Sequence, residues 1–264
     1  MIRPIFTNTA SFTTRAGLIL RGGKGKLTLP VRCGLIVHPT LGPVLIDAGC
    51  GPRLTDDPKR SFGLRLYNRM LGPVIHHHTS PMALLAAHGF APTDVVRIFV
   101  THLHADHIAY LEAFPNARFV TDNVGTGGIR HGVFPELLPD DFATRQEMLR
   151  DSPKGALPFA LGDGFDLFDD GTVLGVPLPG HARGHYGLCF TGAQPLLYAV
   201  DAQWLMPGIM EDRIPGFPAN LLAHDPAALR DSVALVRRFA LAGGMVVLCH
   251  DPTPNPYDWS PGDV

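Results

Sequence analysis

Apolar residues in this chain fall mostly in short runs separated by glycine and proline, the pattern of buried strands rather than of long helices. Such runs predict strands at 95–100, 117–121, 172–178, 186–191, 196–200 and 245–249. Two further runs, 27–37 and 43–47, flank Pro39-Thr40-Leu41-Gly42-Pro43 and predict a hairpin. Helical spacing stands out twice. Ser80-Pro81 opens Met82-Ala83-Leu84-Leu85-Ala86-Ala87, and Gly89 closes it: an N-cap, a first-turn proline and a glycine stop. Asp225-Pro226 opens a longer helix with Leu229, Val233, Val236 and Ala240 on one face and Gly243-Gly244 at its end. Strands interleaved with a few helices predict a layered α/β architecture, with helices outside two sheets.

Composition adds that turns are frequent, since glycine and proline number 29 and 25 in 264 residues. No linker, repeat or break in composition divides the chain, so residues 1–264 read as one domain. The segment 52–80 is poorer in pattern. It holds Lys59, Arg60, Arg65 and Arg69, ends in His76-His77-His78, and reads as a cap or subunit-contact insertion, the latter making the chain a homodimer. Consecutive histidines do not converge easily on one ion, so that triplet reads as a surface or pocket-rim run. Arg21-Gly22-Gly23-Lys24-Gly25-Lys26 lacks phosphate-loop spacing and reads as a flexible turn.

The formal charge is −2 and only 17% of residues are charged, with no basic stripe, which argues against a nucleic-acid partner. No run of about eighteen apolar residues suggests a membrane span. The first residues lack a basic stretch followed by an apolar run, so the expected compartment is the cytoplasm. Cys33, Cys50, Cys189 and Cys249 are scattered, without Cys-x-x-Cys spacing, and read as buried thiols; Cys249 adjoins His250 and is the one to watch.

The chemistry is concentrated in Thr101-His102-Leu103-His104-Ala105-Asp106-His107-Ile108, which follows the strand-like run 95–100. Imidazole and carboxylate are borderline ligands suited to zinc and its first-row neighbours. His102 and His104, two apart, can project together from an extended strand end. Asp106 and His107 follow at the turn and can face a second ion. Three later residues also close apolar runs: His181 in Pro179-Gly180-His181-Ala182-Arg183-Gly184-His185, Asp201 after Tyr198-Ala199-Val200, and His250 after Val246-Val247-Leu248-Cys249. Loops at one sheet edge can gather such residues into one pocket.

The ordered set His-x-His-x-Asp-His, Pro-Gly-His-x-x-Gly-His, a lone Asp and a late His resembles the metallo-β-lactamase-fold hydrolase superfamily, over about residues 30–255. That resemblance implies an αββα sandwich of two mixed β-sheets flanked by helices. It implies one metal held by His102, His104 and His181, a second by Asp106, His107 and His250, and Asp201 as the bridge. Leu45-Ile46-Asp47-Ala48-Gly49 resembles the family's early strand-turn, where Asp47 would steady the histidine loop; His185 would be a supporting residue, not a ligand.

The cofactors implied are two zinc ions, with iron, manganese or cobalt as substitutes. The reaction implied is attack of a metal-bridging hydroxide on an ester carbonyl, with Asp106 helping to deliver a proton to the leaving group. Among branches, the chain looks most like the acyl-homoserine-lactone lactonases, through Asp201-Ala202, His250-Asp251-Pro252 and the proline-bearing segment after Asp201. The expected partner is therefore a small-molecule ester or lactone. A thioester hydrolase resembling glyoxalase II, a phosphodiesterase of the same superfamily, and a non-catalytic metal-binding protein are the alternatives. Two positions depart from the lactonase branch. Trp204 stands where a tyrosine is usual, and Ile108-Ala109-Tyr110-Leu111 replaces Gly-Gly-Asn, which makes Trp204 and Tyr110 the candidate pocket residues.

Overall fold

The structure, a computed structural model, describes residues 2–123 and 132–262, and its contacts gather into two units. One comprises Arg3–Thr13, Leu29–Glu147 and Pro254–Val264 and the other Met1–Ile2, Thr14–Thr28 and Met148–Thr253.

The first unit is built on seven strands: β1 (Ile5–Arg15), β2 (Lys26–His38), β3 (Gly42–Ile46), β4 (Val74–Ile75), β5 (Arg97–Phe99), β6 (Arg118–Val120) and β7 (Gln146–Glu147). Their order is β4-β1-β2-β3-β5-β6-β7. The predicted hairpin is β2–β3, antiparallel with His38 opposite Gly42. From β3 onward the strands run parallel, with Ile46 opposite Phe99 and Phe99 opposite Val120. Strands buried on both faces need continuous apolar runs, and Val44, Leu45, Ile46, Ile98 and Phe99 are all fully buried.

β1 was not predicted. It is threonine-rich, and its buried Thr9 is satisfied by donating to the Val31 carbonyl (3.1 Å) and accepting from the Cys50 N–H (2.9 Å). The segment 52–80 has regular structure: α2 (Pro52–Thr55), α3 (Phe62–Leu71) and the edge strand β4, which pairs antiparallel with β1. The His77–Thr79 turn follows, and His76 Nε2 lies 3.1 Å from Ser11 Oγ. The predicted helix after Ser80 is α4 (Pro81–Ala87), capped as expected by the Ser80 hydroxyl accepting from the Ala83 N–H.

The second unit holds α1 (Ala16–Ile19) and six strands in the order β13-β12-β11-β10-β9-β8. These are β8 (Lys154–Ala156), β9 (Asp163–Asp166), β10 (Val173–Pro177), β11 (Tyr186–Phe190), β12 (Leu196–Val200) and β13 (Met245–Leu248). All neighbours are antiparallel except β12 and β13. After α5 (Ala105–Ile108) and α6 (Phe142–Arg145) in the first unit, α7 (Met206–Met210) and α8 (Pro226–Leu241) belong to the second. The α8 residues Val233, Val236 and Phe239 pack with Leu178, Leu197, Ala199 and Leu248 of the sheet in one core. Asp225 caps α8 as predicted, accepting from the N–H groups of Ala227 and Ala228. Two mixed sheets flanked by helices give the expected α/β class. No helix among the described residues is long and apolar enough to cross a membrane.

Candidate metal centre

In the first unit the parallel register of β3 and β5 ends both strands at the same level, so that Asp47 and Thr101 are neighbours just beyond it. Thr101 donates its backbone N–H to Asp47 Oδ1 (2.8 Å) and its hydroxyl to Oδ2 (2.9 Å). His107, in α5, donates from Nδ1 to the same Oδ2 at 2.8 Å. That bond fixes the tautomer and turns His107 Nε2 toward Asp106 Oδ2, 3.8 Å away. Asp47 is completely buried; burial pushes its pKa above the ordinary carboxylate value, opposed by His107 and the bonds from Thr101. It also adopts φ +57°, a left-handed conformation uncommon outside glycine.

Residues 100–104 form a loop, with His104 itself extended as the N-cap of α5. The His102 ring lies 4.5 Å from that of His104 and 4.1 Å from that of His107, centroid to centroid. This unit thus gathers His102, His104, Asp106 and His107 around one strand end, anchored by Asp47. Tyr110 packs against Gly51, where a Cβ would come within 2.7 Å of its ring, and burial pushes its hydroxyl up to about 12.

In the second unit β12 carries a register shift between Tyr198 and Val200, and Val200 has φ +52°. A β-branched residue in that conformation is strained, and bulges with such strain commonly re-aim the residue that follows. That residue is Asp201, whose Oδ2 lies 3.3 Å from His181 Nε2 and whose Oδ1 lies 3.4 Å from His250 Nε2. Each carboxylate oxygen therefore faces a different imidazole.

His185 holds this arrangement in place. Its Nδ1 is 2.7 Å from the Leu178 carbonyl, and its Nε2 accepts the Asp201 backbone N–H at 3.3 Å. Gly180, with φ +120°, lets the loop pass so close to α8 that a Cβ would sit 2.1 Å from the Leu229 nitrogen. His250 follows β13, and the ligand atoms of Asp201, Cys249 and His250 lie within 4.8 Å of one another. Burial disfavours the charged form of His250, but Cys249 and Asp201 outweigh it and hold its pKa well above the usual imidazole value. Cys33, Cys50, Cys189 and Cys249 are all buried, and none is joined in a disulfide. Asp251 accepts from the N–H groups of Met206 (2.6 Å) and Thr253 (2.8 Å), tying the loop to α7.

Trp204 lines a cavity of about 340 Å³ within this unit that reaches His181 and Asp201. Its other walls include Ile214, Leu222, Leu229 and Val233. In the sequence the segment around 212–223 was marked only by its prolines, which erase any periodicity and so gave no sign that it walls a cavity.

Nitrogen and oxygen donors clustered at strand ends are groups that hold metal ions, and the model of the metallo-beta-lactamase superfamily matches residues 28–250. The chain belongs to that superfamily. An N-acyl homoserine lactonase of Agrobacterium fabrum (AttM) is 30% identical to this member over 242 residues, covering 88% of this chain and 86% of its own. An N-acyl homoserine lactonase of Bacillus thuringiensis is 26% identical over 214 residues, covering 78% of each. Among solved structures, the fold is shared with AidC, described as a dizinc quorum-quenching lactonase in complex with a product. The TM-score is 0.64 at 16% identity, covering 96% of this chain and 88% of that one. These relatives bear out the lactonase-like branch of the superfamily read from the motifs.

Proposed function

We propose that this superfamily member is a dinuclear metal-dependent hydrolase that opens a lactone, its two units working as one catalytic domain. His102, His104 and His181 would hold one ion, Asp106, His107 and His250 the other, and Asp201 would bridge them. The observation that carries this reading is the Asp201 carboxylate, with one oxygen toward His181 and the other toward His250. A carboxylate so placed suits two ions. The donor set of imidazoles and carboxylates fits zinc, the metal of the dizinc neighbour, as well as iron, manganese or cobalt. When bound, such ions supply Lewis acidity and ionise water near neutral pH.

The remaining steps belong to the protein. Asp47 orients His107 through its 2.8 Å bond, and His185 orients Asp201 through the backbone. The cavity beside His181 and Asp201 would take the apolar part of the substrate, with the Trp204 indole N–H as a donor where the lactonase branch usually has a tyrosine. Asp106, 13% exposed at its side chain, would take up the proton released as water adds to the carbonyl and pass it to the leaving oxygen. The small-molecule lactone is the substrate class named for the relatives.

The test pairs metal analysis with an activity panel of N-acyl homoserine lactones, simple γ-lactones, thioesters, phosphodiesters and β-lactams. The expected result is about two metal ions per chain and a preference for lactones. Asp106→Asn should lower kcat by roughly 10²–10⁴-fold. A fully metallated protein that turns over thioesters or phosphodiesters and leaves lactones untouched would refute the reading.

A further inference from the structure

The ligand set proposed above makes no use of Cys249. Its thiol is fully buried, and it lies with an oxygen of Asp201 and a ring nitrogen of His250, all within 4.8 Å of one another. That closeness is not automatic. Successive side chains of a strand point to opposite faces, so a Cys-His pair continuing β13 would part. Instead β13 stops at Leu248, and Cys249 and His250 form a bend that brings both donors to one side.

The bend is held from both directions. The Cys249 N–H donates at 2.9 Å to the carbonyl of Val200, the residue whose left-handed conformation precedes Asp201. One hydrogen bond thereby links the backbone under the thiol to the bulge that aims the carboxylate. Past His250, the bonds that Asp251 accepts from Met206 and Thr253 hold the other side. Cys189, in the same unit, shows the contrast. It packs in the apolar core with Leu178 and Leu197, and burial pushes its thiol up to about 12, so it serves as a small hydrophobe. Cys249 faces an imidazole and a carboxylate instead.

We infer that Cys249 Sγ is itself a metal ligand, joining Asp201 and His250 on the ion assigned to His250. The inference rests on the dinuclear centre proposed above and adds a soft donor to it. On binding, the S–H bond gives way to a sulfur–metal bond and the proton leaves to solvent, since a coordinating thiol is deprotonated outright. A thiolate beside the Asp201 carboxylate sets two negative charges in a buried place, and a divalent ion between them turns that repulsion into attraction. Bonds to a common zinc ion, about 2.3 Å for sulfur and about 2.0–2.2 Å for nitrogen or oxygen, reach across most of the observed span. Thiolate favours zinc and disfavours manganese, so the sulfur also narrows the choice of metal at this position. The competing role is a thiol that only hydrogen-bonds the His250 side chain. The two roles differ in whether sulfur touches metal.

X-ray absorption at the zinc edge of the full-length, zinc-loaded protein reads that contact directly. The expected result is a sulfur shell near ~2.3 Å, at about one sulfur per two zinc ions, beside nitrogen and oxygen at about 2.0–2.2 Å. Cobalt-loaded wild type should show a near-ultraviolet sulfur-to-cobalt charge-transfer band in addition to the visible bands of any bound cobalt. Cys249→Ser should lose both sulfur signals. It should also bind one of its two ions more weakly, by more than the roughly 10–100-fold typical of losing a supporting residue, and accept manganese there more readily relative to zinc. A metal-loaded wild type without a sulfur signal would overturn the inference with no variant needed, and would leave the lactonase reading standing if lactones are turned over. A sulfur signal that persists in Cys249→Ser would overturn it as well, assigning the contact to another thiol. A protein that binds neither zinc nor cobalt would remove the inference together with the dinuclear centre. Sulfur-bound metal in a protein that leaves lactones untouched would keep the ligand and refute the lactonase reading alone.

Discussion

At the scale of single residues, the most consequential group is one that need not touch a metal. Asp47 accepts three hydrogen bonds, two from Thr101 and one from His107, in a completely buried position past the end of β3. Carboxylates that hold a ligating histidine by its second nitrogen typically contribute 10–100-fold in metal affinity when mutated. Asp47→Asn should therefore weaken the ion assigned to His107 by that range while leaving the ion assigned to His102 and His104 closer to wild type. Competition against a chromophoric chelator reads this as one weakened site out of two. Equal weakening of both ions would mean that Asp47 shapes the whole loop rather than His107. The sequence signalled these residues because histidines and aspartates directly after apolar runs are conspicuous. It could not signal that Val200 adopts φ +52° ahead of Asp201, since a valine carries no mark of the conformation it is forced into.

At the scale of elements, what was legible depended on whether the apolar pattern pointed one way. The β2–β3 hairpin and the strands from β10 to β13 were legible because burial on both faces makes apolar runs continuous. The helix α8 was legible because one face is apolar and Asp225 marks its start. The helix α3 was not: Leu64 faces inward while Phe62, Leu66 and Met70 face outward, and apolar residues on both sides blur the helical period. β1 was missed because threonines fill positions where aliphatic residues would have announced a strand, although their β-branching suits one.

The α8 cap gives a prediction at this scale. Bonds from the Ala228 and then the Ala227 N–H hold the Asp225 carboxyl below its ordinary 3.8. A carboxylate with a lowered folded-state pKa stabilises the fold above its unfolded pKa, and the contribution is lost as pH falls through the folded value. Asp225→Ala should thus lower Tm by about 2–4 °C at pH 7, and the deficit should shrink as the medium is taken below pH 3.8. A deficit independent of pH would show that the side chain acts through packing and not as a charged acceptor.

At the scale of the whole molecule, the seven proposed ligands divide between the two units: His102, His104, Asp106 and His107 in one, His181, Asp201 and His250 in the other. Ions shared by both sets would bind the folded chain and not the unfolded one, and so would stabilise it by mass action. At free metal a thousandfold above Kd that amounts to about 4 kcal/mol, or on the order of 10 °C in Tm for a chain of this size. A chelator should therefore lower the Tm of the wild-type protein by that order, and added zinc should restore it.

The same logic separates a shared centre from two local ones. If Asp201 bridges ions held by residues of both units, Asp201→Ala should abolish most of the chelator-induced shift in every probe at once. If each unit binds its own ion, the variant should lose only the part contributed by the second unit. Trp204 lies in the second unit and Trp259 in the first. Thermal melts followed by the emission of each tryptophan, with the other replaced by phenylalanine, read the two units separately. Coincident melting in the metal-loaded protein that splits into two transitions on chelation is the outcome a shared centre requires. Two transitions that stay apart with metal bound would mean that the ligands of the two units do not serve the same ions.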